Sequence, residues 1–196
     1  MASTSRELFG GAITSQLPQG LIDASDLRQI PDNQEVLLFP GSDVTCVVEV
    51  LETVTEGQAG SNTEEAIRFH FSSLAHDNEA ETSEVLRIES LGGQSLSEEV
   101  TEGTPSPTYL TGLQRVRKFN KHDSPLDLVL IHLALWRLAP KRPVDLVMSW
   151  NEPLALGKEA TEQGHGDASA MGDASIRDKF KQAATSLRIE DWGLFA

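Results

Sequence analysis

The sequence has a single cysteine, Cys46, in 196 residues. No internal disulfide can form, and in its apolar run the thiol reads as a small buried hydrophobe rather than a reactive group. A reducing compartment fits. Lysine is missing from the whole of residues 1–104, where 19 Asp and Glu stand against 4 Arg, a net of −15. Residues 105–196 carry 11 acidic and 12 basic groups, a net of +1, so essentially all of the chain's −14 lies in the first half. Phosphate binding needs clustered Lys and Arg, so this field disfavours nucleic acid and anionic membrane and favours a basic protein partner. The plain alternative is acidity that only keeps the chain soluble. No apolar run approaches the length that crosses a bilayer, and residues 1–7 lack the apolar core of a signal peptide. The expectation is a soluble protein of cytosol or nucleus.

Catalytic and metal signatures are missing as well. There is no G-x-x-x-x-G-K-[ST], and neither Gly10-Gly11 nor Gly92-Gly93 alone cradles a triphosphate, so the chain is not a P-loop hydrolase. None of His70, His76, His122, His132 and His165 is spaced with another histidine or cysteine as metal ligands are, and no metal or cofactor is expected. His70, beside Phe69 and Phe71, and His132, inside an apolar run, read as packed rings before general bases. Arg115, Arg117, Lys118, Lys121 and His122 form a basic cluster, but strand period sends Lys118 to the face opposite Arg115 and Arg117. A solvated strand end balancing nearby acids is the better reading than a nucleic-acid patch.

What is present is sheet and turn chemistry. With 39% hydrophobic residues, the chain can bury one substantial core, and one domain over residues 1–196 is expected. Residues 8–14 read as a first short strand, closed by Pro18 and Gly20. Asp23 or Ser25 caps one helical turn through Arg28, ended before Pro31. Asp32 and Asn33 form a turn. Residues 36–39 and 44–51 pair as a hairpin through Pro40-Gly41-Ser42-Asp43. A helix runs from Glu64 to about Ala75 with Ile67, Phe71 and Leu74 on its buried stripe and Ser61 or Asn62 as cap. Residues 85–91 alternate Leu86 and Ile88 against Arg87 and Glu89, a strand with one wet face.

A polar connection at 92–108 leads to three strands at 109–119, 126–138 and 144–151. The middle run is apolar enough to be a buried helix, and its β-branched Val129 and Ile131 argue for strand. Residues 157–174 read as a mobile loop. Ser175 with Asp178 caps a last helix with Ile176, Phe180, Ala184 and Leu187 inward, and the apolar tail at 189–196 packs back. Strands in sequence with two helices and no regular βαβ alternation give an α+β sheet layered with helices.

Glu49 breaks the pattern. It shares parity with Val47 and Leu51, so a continuous strand places a carboxylate on an apolar face, where desolvation forces pairing or neutralisation. Either the strand twists or ends there, exposing Glu49 and Glu52 together, or Glu49 pairs internally.

Several motifs stand in order along the chain: Leu8-Phe9-Gly10-Gly11-Ala12-Ile13, Ile22-Asp23-Ala24-Ser25-Asp26-Leu27-Arg28, Pro31-Asp32-Asn33-Gln34-Glu35-Val36, Glu49-Val50-Leu51-Glu52, His70-Phe71, Leu135-Trp136-Arg137-Leu138, Asn151-Glu152-Pro153 and Leu194-Phe195-Ala196. Together they resemble the Mog family of Ran-binding nuclear import factors, also described as Ran guanine-nucleotide release factors. The stretches 40–43, 92–108 and 157–174 depart from the family in length and composition. The resemblance implies a six-stranded, largely antiparallel sheet flanked by helices, of the PsbP-like type. It further implies a non-catalytic, monomeric regulator of nucleus and cytoplasm that binds the small GTPase Ran, with other nuclear transport factors as further partners. Its action would be to promote release of guanine nucleotide, particularly GTP, in nuclear import.

The resemblance carries Glu49 and Glu52 over as Ran-binding residues. Asp23, Asp32 and Glu35 match family motifs too, with cap or turn roles as the alternative. Two other readings stay open: an acidic adaptor for Ran or an import receptor without exchange activity, and a small-molecule hydrolase using His70 or His132.

Overall fold

The computed structural model describes residues 2–90, 103–117, 126–155 and 172–196. Among the described residues, ten strands form two antiparallel sheets. The larger one is built on the hairpin of β4 (Gln34–Leu38) and β5 (Thr45–Glu52) and the long strands β6 (Thr82–Ser90), β7 (Thr108–Arg117), β8 (Leu126–Arg137) and β9 (Val144–Ala155), with the two-residue β3 (Ile22–Asp23) at one edge. Its order is β3-β4-β5-β9-β8-β7-β6. Six of the seven strands are the expected sheet; β3 adds a short edge. A second sheet, β1 (Ser3–Leu8), β2 (Ile13–Pro18) and β10 (Arg188–Ile189), has the order β1-β2-β10.

The second sheet corrects the reading of residues 8–14 as one strand. Phe9, Gly10 and Gly11 all have positive φ, at 50°, 65° and 95°, and make a 3₁₀ turn that folds β1 back on β2. Glycine adopts that conformation without steric cost. The motif is therefore a reversal between two strands.

The large sheet is covered on both faces. On one side lie the small sheet and α2 (Ala174–Ser186), enclosing Leu8, Ile13, Leu17, Trp136, Trp150 and Phe180. On the other lies α1 (Thr63–Asp77), whose Ile67 and Phe71 pack on Leu110, Ile131, Leu133 and Val147. Burying each such side chain contributes roughly 1.5–3 kcal/mol. Central β8 is sandwiched between these layers, so both of its faces are apolar. That is why its run reads equally as a buried helix.

The helices start where side chains satisfy orphan amides. Asn62 Oδ1 accepts from the Glu64 and Glu65 N–H groups at 2.8 and 3.1 Å. At α2 the cap is Asp173, which accepts from the Ser175 N–H at 2.7 Å, rather than Ser175 itself. Ala174, placed in the expected loop, is helical; residues 157–171 of that loop, the segment 92–102 and Lys118, Lys121 and His122 lie outside the described residues. The tail packs back through a 3₁₀ turn, Trp192–Phe195, that buries Phe195.

Alternation fails in β6. A bulge between Val85 and Arg87 makes Leu86 an extra residue, so Val85 and Ile88 join the α1 core while Leu86 turns with Arg87 and Glu89 to the other face. The expected pairing of Leu86 with Ile88 is thus overturned, because one inserted residue shifts the parity of everything after it.

Candidate functional site

β5 runs unbroken to Glu52, so the strand does not end at Glu49. Glu49 lies with Val47 and Leu51 on the face toward α1, and the internal pairing is the one observed: the Gln34 amide donates to Glu49 Oε1 at 2.5 Å. Both side chains are half-buried. The hairpin register brings them opposite each other.

Glu49 lines a cleft of about 90 Å³ between β5 and the C-terminal half of α1, with His70, Ser73, Asp77 and Ser149 among its walls. Burial pushes the Glu49 carboxyl above its ordinary range; the Gln34 hydrogen bond opposes that shift, the nearby Asp77 charge adds to it, and His70 opposes it. Among the described residues no Lys or Arg lies within ion-pair distance of Glu49. Glu52, three residues on, has the opposite parity and is exposed. The two carboxylates occupy opposite faces of one strand end, so of the two alternatives joint exposure falls and internal pairing of Glu49 stands.

Beneath the cleft lies a buried polar network. Asp145, fully buried on β9, accepts from the Val54 N–H at 3.1 Å and meets His70 Nε2 at 2.9 Å. Arg137 Nε lies 3.5 Å from Asp145 Oδ1, an ion-pair distance without hydrogen-bond geometry, while the Arg137 guanidinium donates to the Ala59 and Val54 carbonyls. The network ties β8 and β9 to α1 and to the chain entering it. His70 is thus a framework residue.

The other matched acids fall into different places. Asp32 is exposed in the turn before β4. That turn abuts the Glu49 strand, since the Val50 N–H donates to the Asn33 carbonyl at 2.9 Å and the Asn33 amide to the Val50 carbonyl at 3.2 Å. Asp23 caps its 3₁₀ turn through the Ser25 N–H at 2.9 Å and pairs with Arg6 at 3.3 Å. The Ser25 hydroxyl chiefly, with the Ser25 N–H and Arg6 adding against the effect of burial, holds the Asp23 carboxyl below its usual value. Glu35 accepts from the Phe9 N–H at 2.6 Å. Asp32 therefore joins the Glu49 region, whereas Asp23 and Glu35 serve the packing of the first hairpin.

Cys46 is buried and burial pushes its thiol up to about 12, as an inert packed residue requires. Arg117 Nε donates to Glu81 at 2.5 Å, the balanced strand end expected of the basic cluster. His132 is buried on β8, stacks on Phe180 with centroids 5.4 Å apart, and shares a hydrogen bond between Nδ1 and Thr111 Oγ1 at 3.2 Å. Glu152 lies 3.8 Å from its Nε2, beyond hydrogen-bond range. Hydroxyl and imidazole are thus hydrogen-bonded to each other, while the carboxylate stands apart. No metal-binding group of three or more His, Cys, Asp or Glu occurs among the described residues, and none of the described helices is long and apolar enough to cross a membrane.

Gln34 and Asp77 were missed by sequence reasoning. Gln34 follows from register once the hairpin turn is placed; Asp77 reaches Glu49 only through the docking of α1.

The family model described as "Ran-interacting Mog1 protein" matches residues 6–153. The chain is 32% identical over 191 residues to a Danio rerio protein named Ran guanine nucleotide release factor, covering 97% of this chain and 99% of that one. A Homo sapiens protein of the same name is 34% identical over 194 residues, covering 96% and 94%. The crystal structure of the Saccharomyces cerevisiae Ran-binding protein Mog1p superposes with a TM-score of 0.72 at 28% identity, covering all of both chains.

Proposed function

The chain belongs to the family of Ran-interacting Mog1 proteins, and from that membership we propose that it binds the GTPase Ran and promotes release of its guanine nucleotide in support of nuclear import. It acts as a non-catalytic monomer shared between nucleus and cytoplasm. The supporting observation is Glu49, a half-buried carboxylate pushed toward protonation by burial and by Asp77. A partner's cation supplies the counter-charge that the site lacks, and desolvated pairing is where such contacts are strongest. Glu52, on the exposed face of the same strand end, extends the acidic contact.

The action is electrostatic. A GTPase holds its nucleotide through a P-loop lysine, backbone amides and Mg²⁺, so a partner releases it by offering carboxylates to those cationic groups or by distorting the switch loops. Linkage then requires that GTP weaken this protein's binding to Ran by the same factor by which this protein weakens GTP binding.

The test is release of a fluorescent guanine nucleotide from Ran, loaded in turn with GTP and GDP forms. Glu49→Ala and Glu52→Ala should each weaken Ran binding by about tenfold at low salt. Unchanged affinity in both variants, with the fold intact, would sink the assignment. Tight binding with no acceleration of release would instead establish the adaptor reading.

A further inference from the structure

On the face of the sheet opposite the Glu49 cleft, α2 stands over β6, β7 and β8 and leaves a second cavity of about 40 Å³. We propose that this cavity is a binding site for a small organic carboxylate with a flat apolar body. Its charge is the first reason. In a chain of net −14, three cations, Arg87, Arg177 and Lys181, line it with one carboxylate, Glu89. The two Glu89 oxygens are divided between two of them: Arg87 Nε meets Oε1 at 2.9 Å and Lys181 Nζ meets Oε2 at 2.8 Å. Arg177 has no ion pair among the described residues. One carboxylate thus serves an excess of cationic donors, and a second anion satisfies the remainder.

The floor is the second reason. His132 and Phe180 stack with an interplanar angle of 28°, and Leu86 and Leu130 add aliphatic surface. His132, 2% exposed, has an Nε2 with no hydrogen-bond partner among the described residues, the Glu152 carboxylate standing off at 3.8 Å. A buried polar atom left unpaired is destabilising, and a polar ligand edge offsets that cost. The size is the third. A cavity of about 40 Å³ admits a carboxylate and the edge of its ring, whereas a peptide strand needs an open groove.

The site is independent of Ran binding, because its residues lie across the sheet from Glu49. The test is an NMR titration of the full chain with benzoate as probe, alongside benzamide as its neutral isostere, inorganic phosphate, and tri-glutamate. Benzoate should shift the His132 and Lys181 resonances saturably, with a Kd of roughly 1 mM or tighter; benzamide and phosphate should bind at least about tenfold more weakly. Lys181→Ala and Arg177→Ala should each weaken benzoate binding by about tenfold while the remaining amide spectrum is retained. Leu86→Trp, which fills the cavity from the β6 edge and leaves every charged group of the lining in place, should abolish the shifts while the remaining amide spectrum is retained. Absence of a saturable shift, equal binding of phosphate and benzoate, or tighter binding of tri-glutamate would each overturn the proposal, the last in favour of an acidic protein segment.

Discussion

Gln34 and Glu49 face each other across β4 and β5, and the Gln34 amide donates to Glu49 Oε1 at 2.5 Å. This single contact keeps a half-buried carboxylate in place on an otherwise apolar strand face. It also makes the ionisation of Glu49 a property of the folded hairpin.

Burial raises the Glu49 carboxyl above its ordinary value of 4.5. The folded state therefore binds this proton more readily than the unfolded state, and the contribution to stability is complete below about 4.5 and is lost as pH rises through the folded value. Glu49→Gln should accordingly be more stable than the parent at neutral pH, by less than about 1 kcal/mol because the group is partly solvated, with the difference vanishing in acid. Urea denaturation at a series of pH values measures this; a gain that grows toward low pH contradicts it. Asp77→Asn should lower the Glu49 pKa toward its ordinary value, as read from the carboxyl carbon shift.

Asp145 should be far more sensitive than any exposed acid. Asp145→Ala leaves the Arg137 guanidinium buried beside an empty partner position and removes the acceptor of the Val54 N–H, for a loss of about 3–5 kcal/mol. His70→Ala removes one arm of the same network and should cost less. Chemical denaturation of the two single variants and the double variant gives the coupling, and additive losses would show that the groups do not act together.

Glu35 and Asp23 should behave as framework. Glu35→Ala removes the acceptor for the Phe9 N–H in a turn where Phe9 already holds φ at 50°, and should cost about 1–2 kcal/mol. Asp23→Ala removes a cap and an Arg6 pairing and should cost about 1 kcal/mol. Thermal melts should fall for both while the Ran affinity of the folded fraction stays at the parent value. A selective loss of affinity without loss of stability would move either residue into the partner-binding surface.

Gly112 on β7 makes room for the Phe71 ring of α1. A Cβ there would lie 2.7 Å from Phe71 Cε2 and 2.9 Å from the Glu84 carbonyl oxygen, so Gly112→Ala should destabilise by about 1–3 kcal/mol. Phe71→Leu in the same chain should recover part of that loss, and a failure to recover it would place the strain in the β6–β7 pairing instead.

Local patterns carried much of this in the sequence alone. The β4–β5 hairpin, the α1 stripe of Ile67 and Phe71, the inward face of α2 and the packed tail are all written in apolar spacing and turn residues, which act over a few positions. The charge division between the two halves and the anomaly at Glu49 are equally legible, because both depend only on residue order. Tertiary structure decided the rest. Whether the β8 run was strand or helix depended on layers that cover both of its faces, the Leu86 parity on a bulge opposite β7, and the role of Glu35 on a turn 26 residues away. Above all, Glu49 pairs with Gln34 and feels Asp77 because a hairpin register and a docked helix bring distant charges together, and no spacing along the chain encodes that distance.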